Sequence, residues 1–182
     1  MPKKPVVHAR HPITHTGIFQ IEEMELEFSN GATRRYQRII GSPQGAVLVV
    51  PLLDDDTLLL IREYAAGMER YELAFPKGSI EQGEGPLEAA NREIKEETGY
   101  GANQLELIRS VTLAPGYLYH ASHIVLARGL YPQRLEGDEP EPIEVIPWKL
   151  TDLDRLLQRQ DFTEARSIAA FYIIRDWIRQ KA

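Results

Sequence analysis

The chain has 182 residues, of which 43% are hydrophobic and 26% charged, so it is long and apolar enough for one domain with a sizeable core. Its net charge of −6 argues against general nucleic-acid binding and means that cations would have to bridge it to an anionic substrate. The absence of cysteine excludes disulfides and thiol catalysis and agrees with a cytoplasmic location, and no apolar run approaches the roughly 18 residues of a membrane span.

The N-terminal region is expected to be irregular at first and then to form a hairpin. Residues 1–14 show no strand pattern, and their two lysines precede no apolar run, which argues against a signal peptide. Ile18–Phe28 alternates apolar and acidic residues, Ser29-Asn30-Gly31 is a turn signal, and Ala32–Ile40 returns as a second strand. We therefore predict a β-strand extension over residues 1–45.

Three further strands are predicted before the central helix. They cover Ala46–Leu53, Thr57–Arg62 and Tyr71–Phe75. Asp54-Asp55-Asp56 separates the first two strands. This triplet could bind a metal, but in an exposed turn between strands it is more simply a turn.

A short helix is predicted to begin at Gly85-Pro86, because proline is well placed at the first helical position. Leu87, Ala90 and Ile94 recur at spacings of three and four and form its apolar stripe. Gly99 then occupies the position of a left-handed C-terminal cap.

The remaining elements favour a mixed α/β sandwich with one helix on each side of a sheet. Strands are predicted at Leu105–Leu113, His123–Ala127 and Ile143–Trp148, helices at 151–159 and 163–180, and an acidic loop at Glu136–Pro142. Residues 46–182 are expected to form the main domain behind the extension.

The central helix carries a dense group of carboxylates. Glu93, Glu96 and Glu97 lie at i, i+3 and i+4, so their side chains share one helical face. Glu93 and Glu97 border the apolar stripe and should face a cleft rather than open solvent. A solvated acidic face is one interpretation, and coordination of a divalent cation is the other.

This stretch resembles the Nudix box, Gly-x5-Glu-x7-Arg-Glu-U-x-Glu-Glu-x-Gly-U, in which U is a bulky apolar residue. All seven fixed positions match, with Ile94 and Tyr100 at the two U positions; the matches are Gly78, Glu84, Arg92, Glu93, Glu96, Glu97 and Gly99. The resemblance implies a Nudix-type α/β/α sandwich with a mixed sheet. It also implies that Arg92 and Glu84 are structural and that Arg92 orients the box glutamates.

A metal site for phosphoric anhydride cleavage is expected at the box. Hard oxygen ligands select Mg²⁺, with Mn²⁺ as the alternative. Glu93 and Glu97 are the first-choice ligands, and Glu96 contributes directly or through water, so that Glu96 and Glu97 are also the candidate catalytic residues on the helix. The resemblance further implies that the backbone carbonyl of Lys77 completes the coordination sphere.

The resemblance places the catalytic base on a loop after the box and before a late strand. Among the glutamates of LEGDEPEPIEV, Glu141 best fits that spacing and Glu139 is second, while Glu136 and Glu144 are further candidates. The alternative is a solvated acidic loop without a catalytic role.

Two residues before the box are candidates for substrate binding. In the ADP-ribose-hydrolysing branch of the family, an arginine placed like Arg62 contacts phosphate; the alternative is a solvated strand-end arginine. That branch has a glutamate four residues before the box glycine, where this chain has Ala74. Glu72 lies two positions earlier on the same strand face. Because of this departure, two interpretations of Glu72 stay open: it contacts the substrate, or it is an ordinary strand residue.

Segments beyond the box indicate the substrate class. Pro115 in APGY resembles the proline marker of ADP-sugar hydrolases, and Tyr117 falls where diadenosine polyphosphate hydrolases carry a stacking aromatic residue; the alternative is an ordinary Pro-Gly turn. LEFSNG, LIREYA and LYPQRLEGDEPEP resemble the bacterial ADP compounds hydrolase subfamily. This implies hydrolysis of ADP-ribose, diadenosine triphosphate and NADH to AMP, and a homodimer formed through the N-terminal strands.

Three alternatives follow from the same box. A Nudix enzyme could prefer diadenosine polyphosphates or nucleoside triphosphates, or could act on capped RNA, for which the chain lacks a basic groove-forming segment. A non-catalytic nucleotide-sensing Nudix module usually lacks box glutamates or carries a DNA-binding domain. This chain keeps the glutamates and shows no such domain, so no nucleic-acid or membrane partner is expected.

Overall fold

The computed structural model describes residues 3–181, without the side chain of residue 181. The chain forms two compact units. The first contains the residues up to Gly45 together with Thr112–Ala121, and the second contains Ala46–Val111 together with the residues from Ser122 onward. Thr112–Ala121 lies far along the chain from the rest of its unit, and no sequence pattern indicated that it would join it.

The first unit is a four-stranded sheet with the order β1-β2-β3-β9. Its strands are β1 (Val6–His15), β2 (Gln20–Glu27), β3 (Thr33–Ile40) and β9 (Leu118–Tyr119). β1, β2 and β3 are antiparallel neighbours, and β9 runs parallel to β3. The Arg38 guanidinium lies 4.4 Å from the ring centroid of Tyr119, which joins β3 to β9.

The prediction that residues 1–14 are irregular is wrong from Val6 onward, because β1 occupies this segment. β1 is an edge strand with register shifts after Val7 and Pro12. An edge strand tolerates proline because one row of its backbone groups has no ladder partner. Its pairing is supported by cross-strand contacts such as His8 with Glu27 at 2.7 Å, which exist only once β2 lies alongside.

The second unit contains two sheets and the helices. One sheet has the order β7-β4-β10-β8 and the other β11-β5-β6. The strands are β4 (Ala46–Pro51), β5 (Thr57–Ala65), β6 (Arg70–Ala74), β7 (Lys77–Ser79), β8 (Tyr100–Val111), β10 (Ser122–Pro132) and β11 (Glu144–Lys149). The helices are α1 (Pro86–Glu97), α2 (Leu153–Leu157) and α3 (Ala165–Lys181), with a 3₁₀ turn at Leu150–Asp152. Only β4 and β10 pair in parallel among the described strands of this unit.

The core explains why the sequence of β4 is apolar without alternation. Leu48 faces a buried cluster that contains Phe171 of α3, whereas Val49 faces a second cluster that contains Ile94 of α1. A strand covered on both faces must be apolar at every position. The predicted sandwich with helices on both sides of a sheet is therefore confirmed. Within residues 3–181 no helix has the length and apolar character needed to cross a bilayer.

Several elements differ in length from the prediction. β8 begins at Tyr100 rather than Leu105 and β10 continues to Pro132, because residues 100–105 pair with 127–132 across the sheet. The predicted helix 151–159 is reduced to the 3₁₀ turn and the short α2. These boundaries depend on distant partners rather than on local propensity.

Candidate active site

Helix α1 begins and ends as its sequence predicts. Pro86 is its first residue, and the Glu88 carboxylate accepts a hydrogen bond from the N–H of Gly85 at 2.8 Å. At the other end Gly99 has a φ of +79°, in the left-handed region that favours glycine. The helix is thereby fixed at both ends before any ligand binds.

The buried face of α1 carries two of its glutamates. Glu93 and Glu97 are 8% and 3% exposed and lie on the same face as Ala90 and Ile94. The predicted apolar stripe is wrong at Leu87, which is 39% exposed and belongs to neither buried cluster. Ala89 is fully buried instead, since its small side chain allows the helix to approach the sheet closely.

Arg92 joins the loop before the helix to the helix itself. Its Nε and Nη2 donate to the two carboxylate oxygens of Glu84 at 2.8 and 2.9 Å. Its Nη1 donates to Glu93 at 2.7 Å and to Glu96 at 3.1 Å, and Nη2 also reaches the carbonyl of Ser79 at 3.0 Å. The hydrogen bond from Arg92 lowers the pKa of Glu84. Arg92 therefore holds three box carboxylates in one arrangement.

Burial controls the protonation of the two inner carboxyls. It raises the pKa of Glu97 to about 9, against the opposing charge of Lys77. It also raises the pKa of Glu93 to about 7, against a hydrogen bond and charge from Arg92. Glu97 accepts a hydrogen bond from the backbone N–H of Lys77 at 2.9 Å. Burial therefore favours the protonated, uncharged form of both carboxyls.

The glycine at the start of the box leaves room for one of these carboxylates. Gly78 lies in β7 and pairs with Val47 of β4. A Cβ atom at Gly78 would overlap the carboxylate of Glu93. Any larger residue would therefore displace Glu93 from its position beside the strand.

The box carboxylates line a cavity of about 490 Å³, referred to below as the acidic cavity. Its lining residues are Glu63, Lys77, Gly78, Ser79, Glu81, Arg92, Glu93, Glu96, Glu97, Glu136, Gly137, Asp138 and Glu139. Carboxylates thus greatly outnumber the two cationic side chains.

The donor set of the acidic cavity fits a hard divalent cation. Carboxylate oxygens are the donors that Mg²⁺ and Mn²⁺ prefer. A cation would also offset the free-energy cost of burying the charged carboxylates of Glu93 and Glu97. Among the described residues, no three His, Asp or Glu side chains are arranged to hold a metal ion as they stand. Glu93 and Glu96 are ion-paired with Arg92 instead.

A second cavity of about 390 Å³, the tyrosine cavity, shares Glu63 and Glu139 with the acidic cavity. Arg62 also lines it. The buried Nε of Arg62 lies 3.0 Å from Glu144 Oε2 without hydrogen-bond geometry, and Nη1 lies 3.4 Å from Asp161. The Arg62 guanidinium therefore lines the tyrosine cavity, and its buried Nε makes no hydrogen bond.

The acidic loop presents its glutamates to different surroundings. Glu139 lines both cavities. Burial is the largest cause of the raised pKa of Glu93 and Arg92 opposes it, while the charges of Glu96 and Glu139 raise that pKa further. Glu141 lines only the tyrosine cavity of these two and accepts a hydrogen bond from the Tyr71 hydroxyl at 2.5 Å. Glu136 lines the acidic cavity, and Glu144, which follows the loop as the first residue of β11, lines the tyrosine cavity.

Glu72 lies outside the lining of both cavities. It is buried in β6 and accepts hydrogen bonds from Arg70 Nε at 2.6 Å and from the Thr163 hydroxyl at 3.0 Å. These contacts tie β6 to the segment that precedes α3.

Pro115 and Tyr117 belong to the first unit, in the turn before β9. Together with Tyr36, Arg38 and Tyr119 they line a cavity of about 230 Å³. The ring of Tyr117 is exposed. An aromatic and cationic lining of this kind suits a flat ring.

Two residues at the site were not singled out by the sequence. Glu63 lines both cavities and lies 3.0 Å from the ammonium group of Lys77. Its position next to Arg62 could have indicated it. Tyr71 is bonded to Glu141 across 70 residues of chain, and no local pattern connects them.

Comparison with known proteins matches the chain to two family profiles. Residues 42–171 match the profile of the NUDIX domain, and residues 5–38 match that of the NudE-type Nudix hydrolase N-terminal domain. The first match covers more than half of the chain and includes α1, the acidic cavity and the tyrosine cavity.

Curated relatives and a solved structure agree with this match. The chain is 45% identical to the ADP compounds hydrolase NudE of Escherichia coli (strain K12), over 97% of this chain and 95% of the relative. It is 30% identical to the ADP-sugar pyrophosphatase of Mus musculus, over 93% of this chain and 87% of the relative. A crystal structure of ADP compounds hydrolase superposes with a TM-score of 0.89 at 43% identity, covering 100% of this chain and 98% of the other.

Proposed function

The chain belongs to the Nudix hydrolase family, and on that premise we propose that it hydrolyses the pyrophosphate linkage of ADP-linked compounds and releases AMP. ADP-ribose, diadenosine triphosphate and NADH are the proposed substrates. The names of the relatives described above support this substrate class. The observation that carries the proposal is the acidic cavity, whose lining includes the buried carboxyls of Glu93 and Glu97 together with Arg92.

Nudix hydrolases generally use divalent metal ions, and we propose Mg²⁺ for this chain, with Mn²⁺ as a substitute. Glu93 and Glu97 would hold the ion, Glu96 would contribute directly or through water, and the carbonyl of Lys77 would complete the set. When bound, the ion supplies neutralisation of phosphate charge and lowers the pKa of water. The raised pKa values of Glu93 and Glu97 support this assignment, because burial makes both carboxylates costly and a bound cation would offset that cost.

The side chains around the cavity would then position the reactants. Arg92 keeps Glu93 and Glu96 oriented, and the guanidinium of Arg62, which lines the tyrosine cavity, would bind a phosphate oxygen. Water attacks one phosphorus atom, the bridging P–O bond breaks, and a loop carboxylate accepts the proton of the water. Glu141 and Glu139 are the two candidates for that base.

Three other residues are proposed to contact the substrate. Pro115 and Tyr117 line an aromatic cavity in the first unit that would suit a nucleobase. Glu72 is the weakest of the three, because its oxygens are already engaged by Arg70 and Thr163.

The test is incubation of the protein with ADP-ribose and Mg²⁺ and measurement of AMP. Glu97→Gln should lower kcat by at least about a hundredfold, since removing a metal ligand also removes what the metal supplies. The melting temperature should not fall, because a neutral amide replaces a carboxyl that is costly to bury. Glu69→Gln, in an exposed turn, is the matched control.

Absence of AMP with the wild-type chain, in both Mg²⁺ and Mn²⁺, would reject the function. Wild-type activity in the Glu97→Gln variant would reject Glu97 as a principal ligand. A panel that includes nucleoside triphosphates and diadenosine polyphosphates, with identification of products, ranks the substrates.

We also propose a cytoplasmic homodimer that binds neither nucleic acid nor membrane. The lack of cysteine and the net charge of −6 support the location and the absence of those partners. Exposed apolar side chains on the edge strand β1, namely Val6 and Ile13, support association through the first unit.

A further inference from the structure

The segment Glu136–Pro142, the acidic loop, is fixed at its beginning to the end of helix α1. The residues just before it make three hydrogen bonds to backbone carbonyls there. These are Gln133 N to Gly99 O at 3.0 Å, Leu135 N to Lys95 O at 3.2 Å, and Arg134 Nη1 to Glu96 O at 3.3 Å. The loop therefore starts from the same helix that carries the box glutamates.

The other end of the acidic loop is fixed to strand β6 by one side chain. The Tyr71 hydroxyl donates to Glu141 Oε1 at 2.5 Å. This hydrogen bond, together with the charge of Glu141, raises the pKa of Tyr71. The Tyr71 ring is itself held edge to face against Tyr64, with centroids 5.4 Å apart and planes at 70°. Pro140 and Pro142 flank Glu141 and restrict the backbone on both sides of the contact.

Between these two anchors lies Glu139, which lines the acidic cavity with Glu93 and Glu97. Its carboxylate folds back over Gly137, where a Cβ atom would overlap it. Glu139 is only two residues from the bonded Glu141, so movement of Glu141 away from Tyr71 would also move Glu139.

From this arrangement we propose that Tyr71 is a positioning residue, whose hydrogen bond to Glu141 holds the acidic loop so that Glu139 faces the box carboxylates as the proton acceptor. Glu141 then serves as the anchor of the loop rather than as the base. The inference rests on the proposed function, because it assigns roles within the same hydrolytic site.

The test compares Tyr71→Phe with Tyr172→Phe. Tyr71→Phe keeps the ring contact and removes only the hydroxyl, so it should lower kcat for ADP-ribose about tenfold with KM changed by less than about twofold. Tyr172→Phe, on helix α3 and outside the lining of the acidic and tyrosine cavities, is the matched control and should leave kcat and KM at the wild-type values. Melting temperatures of both variants should stay within about 1 °C of the wild type, since the Tyr71 contact is exposed.

A second pair of variants separates the two glutamates. Glu139→Gln should lower kcat at least about a hundredfold. Glu141→Gln should cost less than Tyr71→Phe, because its amide oxygen can still accept the hydrogen bond.

Equal kcat values for Tyr71→Phe and the wild type would overturn the proposal. A larger loss in Glu141→Gln than in Glu139→Gln would also overturn it, since Glu141 would then be the base. Both outcomes require that the wild type releases AMP. A wild type without activity rejects the proposed function itself, so the two failures are distinguishable.

Discussion

At the scale of single residues, Glu97 illustrates how position rather than identity gives a side chain its chemistry. It is 3% exposed and its pKa is raised to about 9, whereas the pKa of the more exposed Glu84 is lowered by a hydrogen bond from Arg92. Both are box glutamates. Glu97 is the proposed metal ligand, whereas Glu84 is already paired with the guanidinium of Arg92.

The raised pKa values predict how the stability of the metal-free protein depends on pH. A carboxyl whose folded pKa exceeds its unfolded value of 4.5 stabilises the fold fully below pH 4.5. That stabilisation is lost as the pH rises through the folded values, about 7 for Glu93 and about 9 for Glu97. In EDTA, we therefore expect the melting temperature to fall between pH 5 and pH 9.

Thermal denaturation of the wild type and Glu97→Gln over this range is the measurement. The variant should show a flatter profile above pH 7, because its amide does not titrate. Added Mg²⁺ should raise the melting temperature more at pH 8 than at pH 5.5, since protons compete with the ion. A wild-type melting temperature that rises steadily to pH 9 would contradict the assignment. The pKa values of Glu84 and Asp161 are lowered, so these carboxyls change the stability only at a pH below this range.

At the scale of elements, helix α3 is joined to the residue that follows strand β6 by a short series of hydrogen bonds. Glu164, just before the helix, accepts hydrogen bonds from the N–H and the hydroxyl of Ser167 at 2.7 and 2.9 Å. The Ser167 oxygen in turn accepts the N–H of Phe75 at 3.1 Å. Phe75 directly follows β6 and lies two residues before β7, so these hydrogen bonds hold the backbone that leads into the box.

Ser167→Ala should therefore destabilise the protein by about 1–3 kcal/mol, the usual cost of leaving a buried N–H without a partner. Urea denaturation measures the change. Ser29→Ala, at an exposed turn position, is the control and should change the free energy of unfolding by less than about 0.5 kcal/mol. A Ser167→Ala variant as stable as this control would show that Phe75 finds another acceptor.

At the scale of the whole molecule, the proposed homodimer predicts a measurable mass. Light scattering after size exclusion should give twice the 20.7 kDa of one chain. Ile13→Lys places a charge on the exposed apolar edge strand β1 and should shift the mass toward 20.7 kDa. Leu107→Lys, at an exposed position of the second unit, should leave the mass unchanged. A monomeric wild type at micromolar concentration would reject the dimer.

The sequence by itself determined the parts of the protein whose information is local. Pro86 and Gly99 mark the ends of α1, and the three- and four-residue spacing of Glu93, Glu96 and Glu97 places them on one helical face. The apolar run of β4 likewise reflects a strand that is covered on both faces. These features need only the geometry of one element, so they could be predicted before the fold was known.

Only the tertiary structure decided the parts that depend on partners far along the chain. β1 forms because β2 lies beside it, β8 begins at Tyr100 because β10 extends to meet it, and Thr112–Ala121 joins the first unit. The different surroundings of Glu139 and Glu141 also depend on a distant partner, because Tyr71 donates its hydrogen bond to Glu141 across 70 residues of chain. The spacing of glutamates along a loop does not show which of them lies nearer to the box glutamates, because those distances are set by contacts at both ends of the loop.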